Sequence, residues 1–296
     1  MKKIIIVMLA AGAFVSGRAA ESPFQIHSRG DFEEEIIKQS KNQEIIYFPQ
    51  IAGQQQKSGT IIAMRAYHHG KPQHLHPLKV VSPGADGTGK AVGFEPINAY
   101  TLLLMINGAR FKATPDLYAY CKVFVPEDFK GTLSLSLWND TKNKSKKFYF
   151  QAKPGWNVLY TPLYGAGSLD EGDSFQGVNV NVVDNQMHKW IVDDIVIWQG
   201  QDTEKPAVVT GINAVTEGDK IKISYQRSSD NLAVKCYRIY RGSVPGFKCD
   251  KSTLRGESDS LEFFDALSMR SDYYYNVTAV DCAGLESLPG QAVQMK

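Results

Sequence analysis

Aromatic and amide side chains alternate with apolar ones along several stretches of this sequence. In TLSLSLWND the leucines occupy every second position, so Trp138 shares the opposite face with two serines. Asn179, Asn181 and Tyr120 alternate with small apolar residues in the same way, and Trp190 begins a later apolar run. Flat rings stack on the apolar faces of a pyranose, while amides and hydroxyls exchange hydrogen bonds with its hydroxyl groups. These five residues are candidates for a carbohydrate-binding surface.

The same alternation has two other interpretations. A solvated sheet face without a ligand shows it, and so does a face that a second domain covers. Trp190 follows His188 and Lys189 at the start of its predicted strand, where packing in the core is the alternative to sugar binding. The sequence leaves these alternatives open.

Catalytic signatures are weak in this sequence. It contains no GxSxG, HExxH or phosphate-binding loop. A glycosidase needs two carboxylates that face each other across a groove, whereas Asp170, Glu171 and Asp173 cluster in a turn-like segment. We therefore expect a non-catalytic protein, with a glycan-active lyase or hydrolase as an alternative.

The side chains named above need β-sheets to position them, and the sequence has a β pattern. Turn-forming residues separate these predicted strands: 101–106, 118–125, 132–138, 147–151, 157–160, 177–183 and 190–198. Only Phe32–Ser40 has helical spacing. The polar segment Gly200–Ala207 separates two strand-rich regions, so we expect an all-β chain with one sandwich in residues 20–200 and another in 201–296.

The second region carries a regular two-residue period. Alternate side chains from Tyr273 to Ala279 share one face, as do Ile221 and Ile223. Residues 206–296 resemble a fibronectin type III domain of the kind appended to bacterial secreted proteins. Tyr225 stands where such modules usually carry a tryptophan. The resemblance implies an immunoglobulin-like β-sandwich that acts as a spacer.

Four short motifs occur in order in the first region. They are GDFEEE at 30–35, VVSPGADGTGKAVGF at 80–94, KPGWNVLYTPL at 153–163 and KWIVDDIVIW at 189–198. In this order they resemble the strands of jelly-roll, galactose-binding-like carbohydrate-binding modules, over residues 21–199. The resemblance implies a polysaccharide partner, held on the polar sheet face or at the loop rim. Because the fold also carries enzymes and structural modules, it does not fix the function.

The same resemblance implies a structural calcium ion. In such modules calcium often joins the opening strand to the closing one, and Glu33, Asp193 and Asp194 occupy the matching positions. Carboxylate oxygens are ligands that calcium prefers. Alternation places Asp193 in phase with Ile191 and Ile195, where a buried carboxylate needs a partner. Solvent exposure or local turns are the alternative for these acids.

The net charge limits which partners the protein can bind, and the N-terminal segment indicates where the protein is located. The 296-residue chain has a formal net charge of +2 and no basic stripe, so nucleic-acid binding lacks its electrostatic basis. Lys2 and Lys3 precede an apolar run over 4–15, the pattern of an export signal in residues 1–19 that is cleaved after Ala19. No later stretch is apolar enough to span a bilayer. We expect a protein that is secreted, either periplasmic or extracellular.

Disulfides are allowed in an exported chain with 4 cysteines. Cys236 and Cys282 both point away from the predicted core on neighbouring strands. A Cys236–Cys282 bridge is therefore predicted, with Cys236–Cys249 as the alternative. Cys121 lies among apolar residues and is predicted to be a buried thiol.

Two non-catalytic classes of function follow from this sequence, beside the glycan-active lyase or hydrolase named above as an alternative. The favoured hypothesis is an exported, non-catalytic polysaccharide-binding protein with two β-sandwiches. The alternative is a structural or adhesive surface protein with protein partners. An adhesive protein would present a broad apolar patch in place of a polar groove.

Overall fold

The structure is a computed structural model of the chain. It describes residues 24–30, 36–40, 43–47, 60–62, 65–68, 71–75, 78–85, 87, 89–94, 101–165, 168–183, 188–266 and 273–296. The predicted export signal and Glu33 lie outside the described residues, and the inferences that depend on them stay predictions.

The regular elements in these residues are all β-strands. In chain order they are β1 Gln25–Gly30, β2 Ile36–Ser40, β3 Gln43–Tyr47, β4 Thr60–Ile62, β5 Arg65–His68, β6 Lys71–Leu75, β7 Leu78–Val81, β8 Ala91–Phe94, β9 Thr101–Lys112, β10 Leu117–Val125, β11 Thr132–Asn139, β12 Lys144–Phe150, β13 Gly155–Pro162, β14 Ser174–Val183, β15 Trp190–Gln199, β16 Asn213–Glu217, β17 Lys220–Ser224, β18 Val234–Gly242, β19 Leu254–Ser258, β20 Glu262–Ala266, β21 Tyr274–Asp281 and β22 Val293–Gln294. No helix long and apolar enough to cross a membrane occurs in the described part of the chain. The all-β prediction is confirmed.

Strands β1 to β15 form two antiparallel sheets. Sheet A has the order β13-β10-β15-β8-β7, with β1 paired to β15, and sheet B has the order β12-β11-β14-β9-β4-β3-β2, with β5 and β6 attached to β9. Strands β13, β14 and β15 alternate between the sheets, which face each other across a common core. This is the predicted jelly-roll sandwich.

The core of this sandwich follows the predicted alternation. Leu135 of β11 lies opposite Val180 of β14, and both point towards sheet A. Full burial of each such side chain stabilises the fold by about 1.5–3 kcal/mol. Because these residues face inwards, Trp138, Asn179 and Asn181 must face outwards from sheet B.

The segment predicted to have helical spacing contains a strand. Residues Ile36–Ser40 form β2, which pairs with β3 through Ile36 opposite Tyr47 and Ile37 opposite Ile46. The helical interpretation of Phe32–Ser40 is therefore wrong for its described part. Isoleucine is β-branched and favours a strand when a partner strand is present.

A β-bulge interrupts the alternation on β15. Asp194 and Ile195 together lie opposite the single residue Cys121 of β10. Asp194 has a φ of 49°, in the left-handed region that aspartate enters more readily than most residues. The bulge turns Ile195 into the core, and Ile191 lies outside the core cluster. The predicted common face of Ile191, Asp193 and Ile195 is therefore wrong.

Strands β16 to β22 form the second sandwich. A three-stranded sheet, β16-β17-β20, packs on a four-stranded sheet, β19-β18-β21-β22. This three-on-four arrangement confirms the fibronectin type III-like domain. Tyr225 takes the place of the usual tryptophan: its ring lies 4.8 Å from that of Tyr237, and its hydroxyl donates to the Ser260 carbonyl at 2.9 Å.

The cysteines are separate thiols in this structure. Cys236 lies opposite Val280, which is two residues before Cys282 in the chain, so the two cysteines do not face each other across the strand pair. Neither the Cys236–Cys282 bridge nor its alternative with Cys249 is formed. Cys121 is buried in the first core, as predicted.

Candidate functional site

The outer face of sheet B presents Trp138 to solvent. Its side chain is 47% exposed and lies beside a bulge in the β11–β14 pairing. On β12, Tyr149 lies opposite Ser134 and is also exposed. Four strand positions, roughly 13 Å, separate the two aromatic side chains along the sheet. Lys147, opposite Ser136 and exposed, lies between them on the same face. We call Trp138, Lys147 and Tyr149 the aromatic strip.

The polar centre of this face is sheltered. Asn181 is buried, and its Nδ2 donates to Ser136 Oγ at 2.7 Å. Asn179 is half-buried. Asn181 therefore uses an amide donor inside the protein, and Asn179 is the more accessible of the two predicted asparagines.

The structure buries the other two predicted sugar-binding residues. Trp190 is 1% exposed and packs edge-on against Phe129, with ring centroids 4.9 Å apart. Tyr120 is also buried, against the second domain. Neither ring is open to a ligand, so both assignments are wrong. Trp190 lies before the bulge at Asp194, where the even-numbered positions of β15 point into the core. Tyr120 points outwards from sheet A, but the second domain covers that part of the sheet.

The second domain packs on the outer face of sheet A. The buried contact consists of Tyr120, Val196 and Trp198 with Leu232, Ala233 and Cys282. Beside it, the buried Lys122 donates to the Val234 carbonyl at 2.9 Å and forms an ion pair with Asp194 at 2.9 Å. The fibronectin-like domain is thus packed against the jelly roll, and it covers this part of the sheet face.

The two aspartates of the predicted calcium site already have partners. Asp193 accepts hydrogen bonds from the backbone N–H groups of Ala85 and Asp194, both at 2.8 Å. Asp194 lies 2.9 Å from Lys122 Nζ and 3.5 Å from the Arg227 guanidinium. Burial, followed by the charge of Asp194, raises the pKa of Asp193.

A calcium ion would compete with the Lys122 ammonium group for this position. Asp193 and Asp194 therefore do not fit a calcium site by themselves. The site that includes Glu33 stays a prediction, because Glu33 lies outside the described residues.

A cleft of about 440 Å³ opens where sheet A, the interdomain linker and the second domain meet. Tyr118, Tyr160 and Trp198 line it from the sheet, Gln201 and Asp202 from the linker, and Leu285 from the second domain. Its volume lies within the range of small-molecule sites, which often occur between domains. We call it the junction cleft.

Three aromatic rings form one side of the junction cleft. The ring of Tyr118 lies 5.9 Å from that of Tyr160 at an interplanar angle of 11°, and 5.3 Å from that of Trp198 at 29°. The rings meet because their outward positions on β13, β10 and β15 are adjacent across the sheet. Tyr160 is 43% exposed, so aromatic surface remains available to a ligand.

Two carboxylates, those of Asp116 and Asp202, also border this cleft. Glycoside hydrolysis would need such a pair to face each other across the substrate. Asp202 is buried, and its Oδ1 accepts hydrogen bonds from Asn231 Nδ2 at 3.0 Å and from the Glu204 N–H at 3.1 Å. These two hydrogen bonds hold the carboxylate of Asp202 in place.

Sequence reasoning missed Tyr160 and Trp198 as cleft residues. Tyr118 and Tyr120 are two residues apart, so alternation places both on one outward face, and the same rule could have assigned Tyr160 and Trp198 to that face. It could not show which part of the face the second domain leaves open, because that depends on how the two sandwiches pack.

Comparisons with known proteins give distant likenesses. No family model matches the chain. An α-amylase of Niallia circulans is 26% identical over 196 residues, which are 64% of this chain. The chain spans only 14% of the length of that curated relative.

Solved structures that share parts of the architecture include glycan-related proteins. The family 11 carbohydrate-binding module of a Clostridium thermocellum cellulosomal cellulase matches 62% of this chain and 99% of its own, at 11% identity and a TM-score of 0.36. The glycoside hydrolase domain of Endo-D from Streptococcus pneumoniae R6 matches 74% of this chain and 36% of its own, at 11% identity and a TM-score of 0.36. A two-domain fibronectin type III segment of chicken tenascin matches 74% and 97%, at 15% identity and a TM-score of 0.23. Likenesses of this size assign no function.

Proposed function

We propose that this chain is an exported, non-catalytic protein that binds a polysaccharide in the junction cleft. The observation that carries the proposal is the pair of nearly parallel rings of Tyr118 and Tyr160, 5.9 Å apart on one side of an open cleft. Pyranose rings stack on flat aromatic surface of this kind. Trp198 lies behind Tyr118 and supports the pair from the buried side.

Polar groups beside the rings suit the hydroxyl groups of a sugar. The exposed amide of Gln201 can both donate and accept hydrogen bonds, and the half-buried Asp116 supplies carboxylate oxygens that accept them. A site with few such contacts binds single sugars weakly, because only the surplus over ordering and desolvation costs appears as affinity. A chain that contacts several parts of the cleft gains more.

The aromatic strip is a second location for the same function. It contains Trp138, the solvent-exposed member of the predicted sugar-binding set, and it is long enough for an oligosaccharide. The sheet face that carries the aromatic strip is less enclosed than the junction cleft, and the amide of Asn181 on this face already donates a hydrogen bond to Ser136. The cleft is favoured for this reason.

Binding of the mature chain to a panel of soluble and insoluble polysaccharides tests the proposal. We expect retention on at least one of them, and we expect Tyr160→Ala to weaken it roughly two- to twelvefold, the range for one aromatic contact of about 0.5–1.5 kcal/mol. Trp138→Ala is the matched control and should bind like the wild type. Weakening by Trp138→Ala alone would place the sugar on the aromatic strip. If the folded wild type binds none of the polysaccharides, the proposed function is wrong.

A further inference from the structure

Three aspartate carboxylates converge next to the junction cleft. Asp202 lies in the linker after β15, Asp230 in the loop between β17 and β18, and Asp281 at the end of β21. One oxygen of each lies within 4.8 Å of the other two. The turn-forming runs that contain Asp230 and Asp281 gave no functional signal in the sequence, because their proximity to Asp202 depends on the path of the linker.

Two of these carboxylates are deeply buried and each has an oxygen without a hydrogen bond. Asp281 is 0% exposed and Asp202 is 4% exposed, and the Oδ2 of each has no partner. The other oxygens are anchored: the Leu285 N–H donates to Asp281 Oδ1 at 2.8 Å, and Asn231 donates to Asp202 Oδ1. Among the described residues, no lysine, arginine or histidine forms an ion pair with Asp202 or Asp281. Each side chain therefore has one fixed oxygen and one that is buried without compensation.

Such an arrangement is costly without a positive charge. A buried carboxylate lacking a partner loses its hydration, and neighbouring carboxylates repel one another. Burial, together with the nearby charge of Asp202, raises the pKa of Asp281. Either a shared proton or a bound cation would remove the repulsion, and a cation would also satisfy the unpartnered oxygens of Asp202 and Asp281.

We propose that Asp202, Asp230 and Asp281 bind a calcium ion. Two oxygens on one calcium ion, each about 2.3–2.6 Å from it, lie at most roughly 5.2 Å apart, so the observed convergence fits a common ion. Oxygen-only ligands from three separate segments suit the flexible coordination of calcium. This site is distinct from the one implied at Glu33, Asp193 and Asp194.

The ion would tie the linker to the second domain. Asp202 and Gln201 form one wall of the junction cleft, and Leu285, four residues after Asp281, forms another. Calcium would thus fix the spacing of the two walls. The proposal does not depend on sugar binding, because cation binding is measured without a sugar.

Calorimetric titration of calcium chloride into the chelator-treated mature chain tests the site. We expect one calcium ion per chain and a higher Tm in calcium than in chelator, because a ligand that binds only the folded state stabilises it. Asp281→Asn and Asp202→Asn should each weaken calcium binding roughly tenfold or more, since loss of an outer-shell contact alone costs about 10- to 100-fold. Both changes remove charge without changing shape, so the variants should fold.

Two control variants separate this site from other acids. Asp219→Asn changes an exposed turn residue and should leave calcium affinity unchanged. Asp193→Asn should also leave it unchanged, and if it alone abolishes binding, the ion sits at the other predicted site and our proposal is wrong. Absence of calcium binding to the wild type, or full affinity in an Asp202→Asn/Asp281→Asn double variant, would likewise overturn it. Magnesium chloride, titrated in parallel, should bind more weakly.

Discussion

Lys122 forms a buried ion pair inside the first sandwich and a hydrogen bond to the second domain, and its replacement by methionine should destabilise the protein strongly. The Lys122 side chain is 4% exposed, lies 2.9 Å from Asp194 and donates to the Val234 carbonyl of the second domain. Methionine keeps most of the apolar length of lysine but removes the charge and the donor. Among the described residues, the change leaves the buried Asp194 with the Arg227 guanidinium, 3.5 Å away, as its remaining ion-pair partner.

The size of the effect follows from these distances. At an effective dielectric constant of about 20, two unit charges 2.9 Å apart attract by about 6 kcal/mol, most of which offsets the cost of their desolvation. Removing one member of a buried pair costs about 3–5 kcal/mol, and the remaining Arg227 contact favours the lower end. We expect Lys122→Met to lower the free energy of unfolding by about 3 kcal/mol. For a domain of this size that is a fall in Tm of about 6–12 °C.

Urea unfolding and differential scanning calorimetry measure this loss, and a double variant provides the control. Lys122→Met/Asp194→Asn removes both charges of the buried pair, and asparagine tolerates the positive φ of residue 194. It should lose only about 1–2 kcal/mol, the cost of the Val234 carbonyl left without its donor. A loss below about 1 kcal/mol in the single variant, or an equal loss in both variants, would refute the reasoning.

Two further predictions concern other parts of the first sandwich. Trp190→Ala should lower the free energy of unfolding by about 3–5 kcal/mol, because it leaves a large cavity in the core. Urea unfolding measures this loss. An unchanged polysaccharide affinity of the folded variant would show that Trp190 acts in packing and does not contact the ligand. Asp173 accepts hydrogen bonds from the Asp170 N–H, Lys142 and Asn139, which hold its pKa at about 2, below its usual 3.8. A depressed carboxyl pKa contributes stability above the unfolded-state pKa and loses it as the pH falls through the folded-state value. The Tm difference between the wild type and Asp173→Asn should therefore shrink between about pH 4 and pH 2, and a difference that stays constant over this range in scanning fluorimetry would contradict the assignment.

Period-two alternation accounts for what the sequence could predict. It located β10, β11 and β14 to within a few residues of their observed bounds, and it correctly separated inward Leu135 and Val180 from outward Trp138. Alternation is reliable there because one face of each strand must be buried and the other is not. The same logic identified the second sandwich.

The failures occur where position along a strand does not determine the environment. The bulge at Asp194 reverses the phase within β15, and nothing in the local sequence requires it. Tyr120 points outwards as predicted, yet the second domain buries it. The convergence of Asp202 and Asp281 depends on loop and linker paths that no two-residue period encodes.

The central claim is that the junction cleft holds a sugar chain against Tyr160. Calorimetric titration of one bound polysaccharide into the mature wild type, Tyr160→Ala and Trp138→Ala tests it directly, with thermal unfolding confirming that each protein is folded. The account predicts that Tyr160→Ala loses roughly two- to twelvefold in affinity while Trp138→Ala matches the wild type. Equal affinity of Tyr160→Ala and the wild type would contradict it.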